Sequence, residues 1–247
     1  MAKPNDSSSL RLHVNVDHVA TVRQARRALY PSPVEFALVC ESAGAAGITV
    51  HLRKDRRHVQ DDDVPALRAS IATVLNLECS LDAEMVDIAE RSGADAFCLV
   101  PENRQEITTE GGLDVIAEKE RVEAAVRRLT DAGGLVSLFI DPVEEQVRAA
   151  AASGAPFVEL HTGAYANATG VERASELERL RRGATLAREL GLRVNAGHGL
   201  NLDNVGDVAA IDGLEELNIG HALVAHALLV GAAEAVREMR RAMGLEG

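Results

Sequence analysis

One recurring pattern restricts the fold of this chain more than any other feature. A stretch that reads as helix ends at glycine or another small residue. A short apolar or β-branched run follows and stops at polar or ionisable residues. The runs are Leu12–Asp17, Gly47–His51, Thr73–Glu78, Ala94–Val100, Leu135–Asp141, Pro156–His161, Leu192–Asn195 and Leu214–Gly220. Strands that alternate with helices predict a parallel sheet. Eight such units in 247 residues predict a (β/α)8 TIM barrel. The runner-up is a doubly wound open sheet. No G-x-G-x-x-G turn follows the first run, which weakens its dinucleotide-binding version.

The joints ESAGAAGITV, ERSGADAFCL and AASGAPFVEL resemble one another, and Gly44, Gly93 and Gly154 are placed to cap helices in a left-handed conformation. Helices are expected over Pro33–Ala43, Leu81–Arg91, Asp114–Ala132, Val143–Ala152, Ala174–Leu190 and Ala222–Met243, the first behind a Ser-Pro start. Asp61, Asp62 and Asp63 are expected to open another helix, where acidic side chains complement the dipole. Residues 1–9 are polar and read as a disordered tail, leaving 10–247 as a single barrel domain.

Composition removes several functions. A net charge of −12 and a pI near 5.1 argue against non-specific nucleic-acid or anionic-membrane binding. With aromatics at 2% and no Trp, the chain has almost no base-stacking platform. Cys40, Cys79 and Cys98 sit in apolar segments without framework or metal spacing, as reduced thiols of a cytoplasmic protein do. The start lacks the apolar stretch of a signal peptide, and no apolar run nears the roughly 18 residues of a membrane span.

In a barrel the chemistry sits at the carboxyl ends of the strands. Here those ends carry Asn15, Asp17 and His18, then His51 and Arg53, then Glu78. Asp141, Glu159 with His161, Asn195 with His198, and Asn218, Gly220 and His221 complete the set. Of eight histidines, only His13 and His226 fall elsewhere, which points to one catalytic rim. Histidine and glutamate together can shuttle protons at neutral pH. The basic loop RKDRRH in an acidic chain reads as a focused anion site, with Arg53, Arg57 and His58 as phosphate donors and Arg23, Arg26 and Arg27 as possible additions. NAGHGL and NIGHAL, after the seventh and eighth runs, form a second anion site where glycine admits close approach to phosphate. Two anion sites on one rim suit a reaction that joins two phosphorylated substrates.

The stretches VNVDHVATVRQAR, ITVHLRKDRRH, LNLE, LVPENRQEITTEGGLDV, VSLFID, GAPFVELHTGAYA, VNAGHGL and LNIGHAL resemble the pyridoxine 5′-phosphate synthase family of vitamin B6 biosynthesis. The resemblance runs from Leu12 to the last helix. It implies a barrel with extra helices, a homo-octamer built as a tetramer of dimers, and a ring-forming synthase of the transferase class. The implied reaction condenses 1-deoxy-D-xylulose 5-phosphate with 3-amino-2-oxopropyl phosphate to give pyridoxine 5′-phosphate, phosphate and water, with no metal and no organic cofactor. Carried over by motif, His51 is the catalytic base, Glu78 a second acid/base, His198 the proton donor and Glu159 a transition-state stabiliser. Asp17, His18, Arg53, His58 and Thr108 correspond to contacts of the deoxyxylulose phosphate. Asn15, Arg26, Gly199, Gly220 and His221 correspond to those of the amino-ketone phosphate. The competing reading is a metal-dependent TIM-barrel hydrolase with Asp17, Glu78, His161 and His198 as ligands.

Overall fold

The structure is a computed structural model that describes residues 10–102 and 111–245. Eight strands form a closed barrel in chain order, every neighbouring pair parallel, with β8 returning to β1. They are β1 (Arg11–Asn15), β2 (Gly47–His51), β3 (Val74–Cys79), β4 (Ala96–Leu99), β5 (Leu135–Ile140), β6 (Phe157–His161), β7 (Arg193–Gly197) and β8 (Leu214–Ile219). Each of the eight predicted runs overlaps one of them.

The described helices are α1 (Asp17–Gln24), α2 (Pro33–Ser42), α3 (Asp63–Ser70), α4 (Ala83–Arg91), α5 (Lys119–Asp131), α6 (Glu144–Ala152), α7 (Gly163–Asn167), α8 (Gly170–Glu189), α9 (Val205–Ala209), α10 (His221–Val230) and α11 (Ala232–Ala242). The glycine caps are as expected, with φ of +102°, +68° and +89° at Gly44, Gly93 and Gly154. Ser32 caps α2 by accepting from Glu35 N–H, with Pro33 at the first helical position.

Three of the boundaries that differ from expectation have a local cause. The first strand stops at Asn15, because Asn15 Oδ1 accepts from Asp17 N–H and folds the chain into α1. The segment after Asp114 remains a turn until Lys119, held by Asp114 Oδ1 accepting from Ala117 N–H and from Gln146 Nε2. The last helix is two helices, because Gly231 sits at φ +85° and ψ 153°, outside helical space.

The apolar core is the layer between strands and helices. Outward-facing Leu12, Val14, Ile48, Val50, Leu75 and Leu77 pack there with helix residues such as Leu67, Met85, Leu129 and Val236. Period-two alternation turns the other strand residues into the barrel. Many of these are polar: His13, Thr49, Asn76, Ser137, Glu159, Asn195 and Asn218 are all buried. Thr49 Oγ1 donates to Asn218 Oδ1 at 2.6 Å, and Asn218 Nδ2 donates to Glu159 Oε2 at 2.7 Å, linking opposite walls. Among the described residues, no helix is long and apolar enough to cross a membrane.

Candidate active site

His51 ends β2 beside Glu78 of β3, its direct partner in register. Asp17 Oδ1 accepts from His51 N–H at 2.8 Å and fixes the strand end from α1. Asn15 Nδ2 donates to Asp17 Oδ2 at 2.9 Å and orients that carboxylate. The His51 ring lies between two acids, with Nδ1 3.7 Å from Glu78 Oε2 and Nε2 3.0 Å from Glu102 Oε1. Burial drives the Glu78 carboxyl well above the ordinary carboxylate range, helped by repulsion from Asp17 and Glu159, which favours its protonated form.

The opposite wall is built by β5, β6 and β7. Glu159 is raised to about 8 by burial and by Glu216, against the opposing hydrogen bonds from Asn218 and Cys98. It is therefore a neutral acid and a hydrogen-bond donor at pH 7. His198 follows β7 on a turn between two glycines, at φ +84°, a backbone conformation rarely adopted by a side-chain-bearing residue. Its pKa is lowered to about 4 by burial, then by His161 and His18, so the ring is neutral. His161 Nδ1 lies 2.8 Å from Asp141 Oδ1, and its ring meets that of His198 edge-on at 5.1 Å.

The remaining rim histidines lie in the same field. His18 and His221 touch edge-on at 5.0 Å, and His58 stands 6.3 Å from His51. Val59 N–H donates to His58 Nδ1, which leaves Nε2 to carry the ring proton. Burial lowers the pKa of both His18 and His58. Gly220 lies against Asn15, where a Cβ would meet the asparagine side chain at 3.1 Å, and Gly199 has φ +78°. Thus Asn15, Asp17, His18, His51, His58, Glu78, Glu159, His198 and His221 share one mouth.

The basic loop is more divided than its sequence suggests. Arg53 is buried, with Nε 3.6 Å from Asp55 Oδ1. Arg56 ties the loop together by pairing with Asp61 and Glu84 and donating to the Arg53 and Lys54 carbonyls. Arg57 pairs with Asp55. Arg23 does not join the phosphate cluster: both its terminal nitrogens bind the Asp63 carboxylate, at 2.6 and 2.7 Å, in a buried pair. Asp63 is thus a structural anchor as well as a helix start. Arg26 is exposed on the turn after α1. Thr108 lies outside the described residues.

Residues 12–245 match the family described as pyridoxal phosphate biosynthesis protein PdxJ. The chain belongs to this family. A relative from Prochlorococcus marinus (strain MIT 9313), named pyridoxine 5′-phosphate synthase, is 57% identical over 230 residues, which cover 93% of this chain and 94% of the relative. Solved structures share the fold at lower identity. The 3-hexulose-6-phosphate synthase of Salmonella typhimurium has a TM-score of 0.65 at 14% identity, covering 96% of this chain and all of its own. A designed cube-shaped protein cage gives 0.66 at 13%, covering 95% of this chain and 72% of its own. Family membership makes the chain an enzyme of pyridoxal phosphate biosynthesis.

For a PdxJ-family chain, the fit to a metal is poor. The four ligands of the hydrolase reading do not gather. Among the described residues, the histidine–carboxylate group with potential ligand atoms within 4.8 Å of one another is Asp17, His51 and Glu78. Both Asp17 oxygens already accept N–H bonds, and His51 Nε2 is engaged by Glu102. These groups form a proton network and not a cation cage. Glu102 carries no role in the sequence reading, and the Asp141–His161 pair carries none in the synthase assignment. The available signal was position: Glu102 stands just past β4, at the end that holds the chemistry.

Proposed function

We propose that this chain is a pyridoxine 5′-phosphate synthase that condenses 1-deoxy-D-xylulose 5-phosphate with 3-amino-2-oxopropyl phosphate, releasing phosphate and water. The observation that carries the reading is His51 set against the buried Glu78 carboxyl at adjoining strand ends of a PdxJ-family barrel. Ring closure needs amine addition to a ketone, loss of water and phosphate, and carbon–carbon bond formation, each moving a proton.

His51 removes protons from the substrate, and Glu78 protonates departing oxygen and takes protons back. Glu159, neutral and held by Asn218, donates to oxygen that gains negative charge in the transition state. His198 donates from a neutral ring. A phosphate dianion seated by Asn15, Arg26, Gly199, Gly220 and His221 would offset the burial that lowers its pKa and let it cycle a proton. Arg53, His58 and Thr108, with Asp17 and His18, hold the other substrate. Acid–base groups suffice for every step, so neither metal nor organic cofactor enters the proposal. We also assign the chain to the cytoplasm.

The purified protein should form pyridoxine 5′-phosphate from the two substrates, with matching phosphate release and no added metal. Product formation that EDTA abolishes and zinc restores would overturn this reading. His51→Asn should lower kcat by about 10³-fold, with an unchanged circular dichroism spectrum. Turnover near wild type would remove His51 from its role.

We further propose a homo-octamer assembled as a tetramer of dimers. The inserted helices α1 and α10 pack together, and the chain near their ends exposes Leu29, Tyr30, Leu228 and Leu229. Exposed apolar side chains of this size suit burial against another copy.

A further inference from the structure

Glu102 lies beyond β4 and bridges two elements. Its Oε1 is 3.0 Å from His51 Nε2, and its Oε2 accepts from Lys54 N–H at 3.2 Å. The carboxylate is thereby fixed between the imidazole and the backbone that leaves β2. Both side chains are largely buried, 6% exposed at His51 and 11% at Glu102, so the contact works in low dielectric.

We propose that Glu102 is the positioning residue of His51: it holds Nε2–H and leaves Nδ1 as the lone-pair nitrogen, aimed at Glu78. The inference rests on the synthase reading above and adds a residue to it. A carboxylate accepts and does not donate, so it selects the Nε2–H tautomer. Burial pushes Glu102 upward, but the hydrogen bond and charge of His51, the Lys54 N–H and Arg53 outweigh it and hold it ionised. Other charged or titratable groups facing this pair are Glu78 on β3, Asp17 on α1, and His58, Arg53 and Arg57 on the loop after β2.

The proton count closes. Nδ1 takes a proton from the substrate and the ring becomes imidazolium against the Glu102 carboxylate. Glu78 gives its proton to a departing hydroxyl, which leaves as water, and becomes carboxylate. Transfer from Nδ1–H to Glu78 across their 3.7 Å gap restores both groups. Glu102 stays ionised throughout and touches no substrate.

Glu102→Gln keeps the shape and removes the charge. It should lower kcat by about 10²-fold while KM for both substrates stays within about threefold. Glu102→Asp should recover part of kcat, and Glu102→Ala should fall to or below the Gln variant. Nitrogen-15 spectra of histidine-labelled, substrate-free protein should show His51 as the Nε2–H tautomer in wild type and a mixture in Glu102→Ala, with His51→Asn assigning the signal. A Gln variant with kcat within about twofold of wild type would overturn the proposal. So would an Nδ1–H tautomer in wild type. If wild type makes no product, the synthase reading fails, and the spectra still decide what Glu102 does.

Discussion

At the scale of single residues, burial sets the acidity of the carboxyls in this site. Glu159 has a sharp consequence for stability. In the folded chain its proton stays up to about pH 8, whereas an ordinary glutamate releases it near 4.5. Between those values the unfolded chain binds fewer protons than the folded one, so stability falls as pH rises through that window. Glu159→Gln has no such proton to lose. Relative to wild type, the variant should therefore gain stability as pH goes from about 5 to about 8. Denaturant midpoints of both proteins at the two pH values test this, and a constant difference would show that Glu159 ionises normally. The rim histidines follow the same logic with opposite sign. Burial keeps His198 neutral, so in the proposed reaction it donates from N–H until an anion arrives.

At the scale of elements, close contacts decide which glycines matter. A Cβ on Gly47 would lie 2.5 Å from Cε1 of His13, a ring enclosed on all sides within the barrel. Gly47→Ala should destabilise the fold by about 1–3 kcal/mol through overpacking, visible as a lower urea midpoint with an unchanged m-value. A midpoint equal to wild type would mean that His13 has room to move. The strands were legible because each outward face is an apolar run buried under helices. Less of the chain between them was legible. The turn at Asn15 depends on a side chain bonding the backbone two residues on, which a hydropathy pattern does not record. The five-residue helices α7 and α9 are too short to show a period. The break at Gly231 lies between an apolar helix and an amphipathic one, where glycine alone does not distinguish interruption from continuity. In the site, His51, Glu78, Glu159 and His198 announce themselves at strand ends. Glu102 does not, since Glu106 and Glu110 follow in the same segment and nothing local tells which acid folds back. Arg23 was misread because an arginine for phosphate and one for an aspartate forty positions away look alike in sequence.

At the scale of the whole molecule, the proposed assembly is open to direct measurement. Light scattering on the purified protein should give a mass of eight 26.3 kDa chains at micromolar concentration. A mass of one chain would remove the octamer and leave the exposed leucines near α1 and α10 without a partner. The closed barrel has another consequence, which concerns folding and not catalysis. Because side chains alternate with period two, a one-residue slip of any strand would swing Leu or Val into the polar interior. The same slip would force Asn, Thr or Glu into the apolar layer beneath the helices. Each displaced polar group would lose partners such as the Thr49–Asn218–Glu159 chain. Misaligned closures are thereby penalised strand by strand. The polar side chains that line the candidate site also proofread the barrel, and a chain closed in the wrong register would lack both its stability and that site.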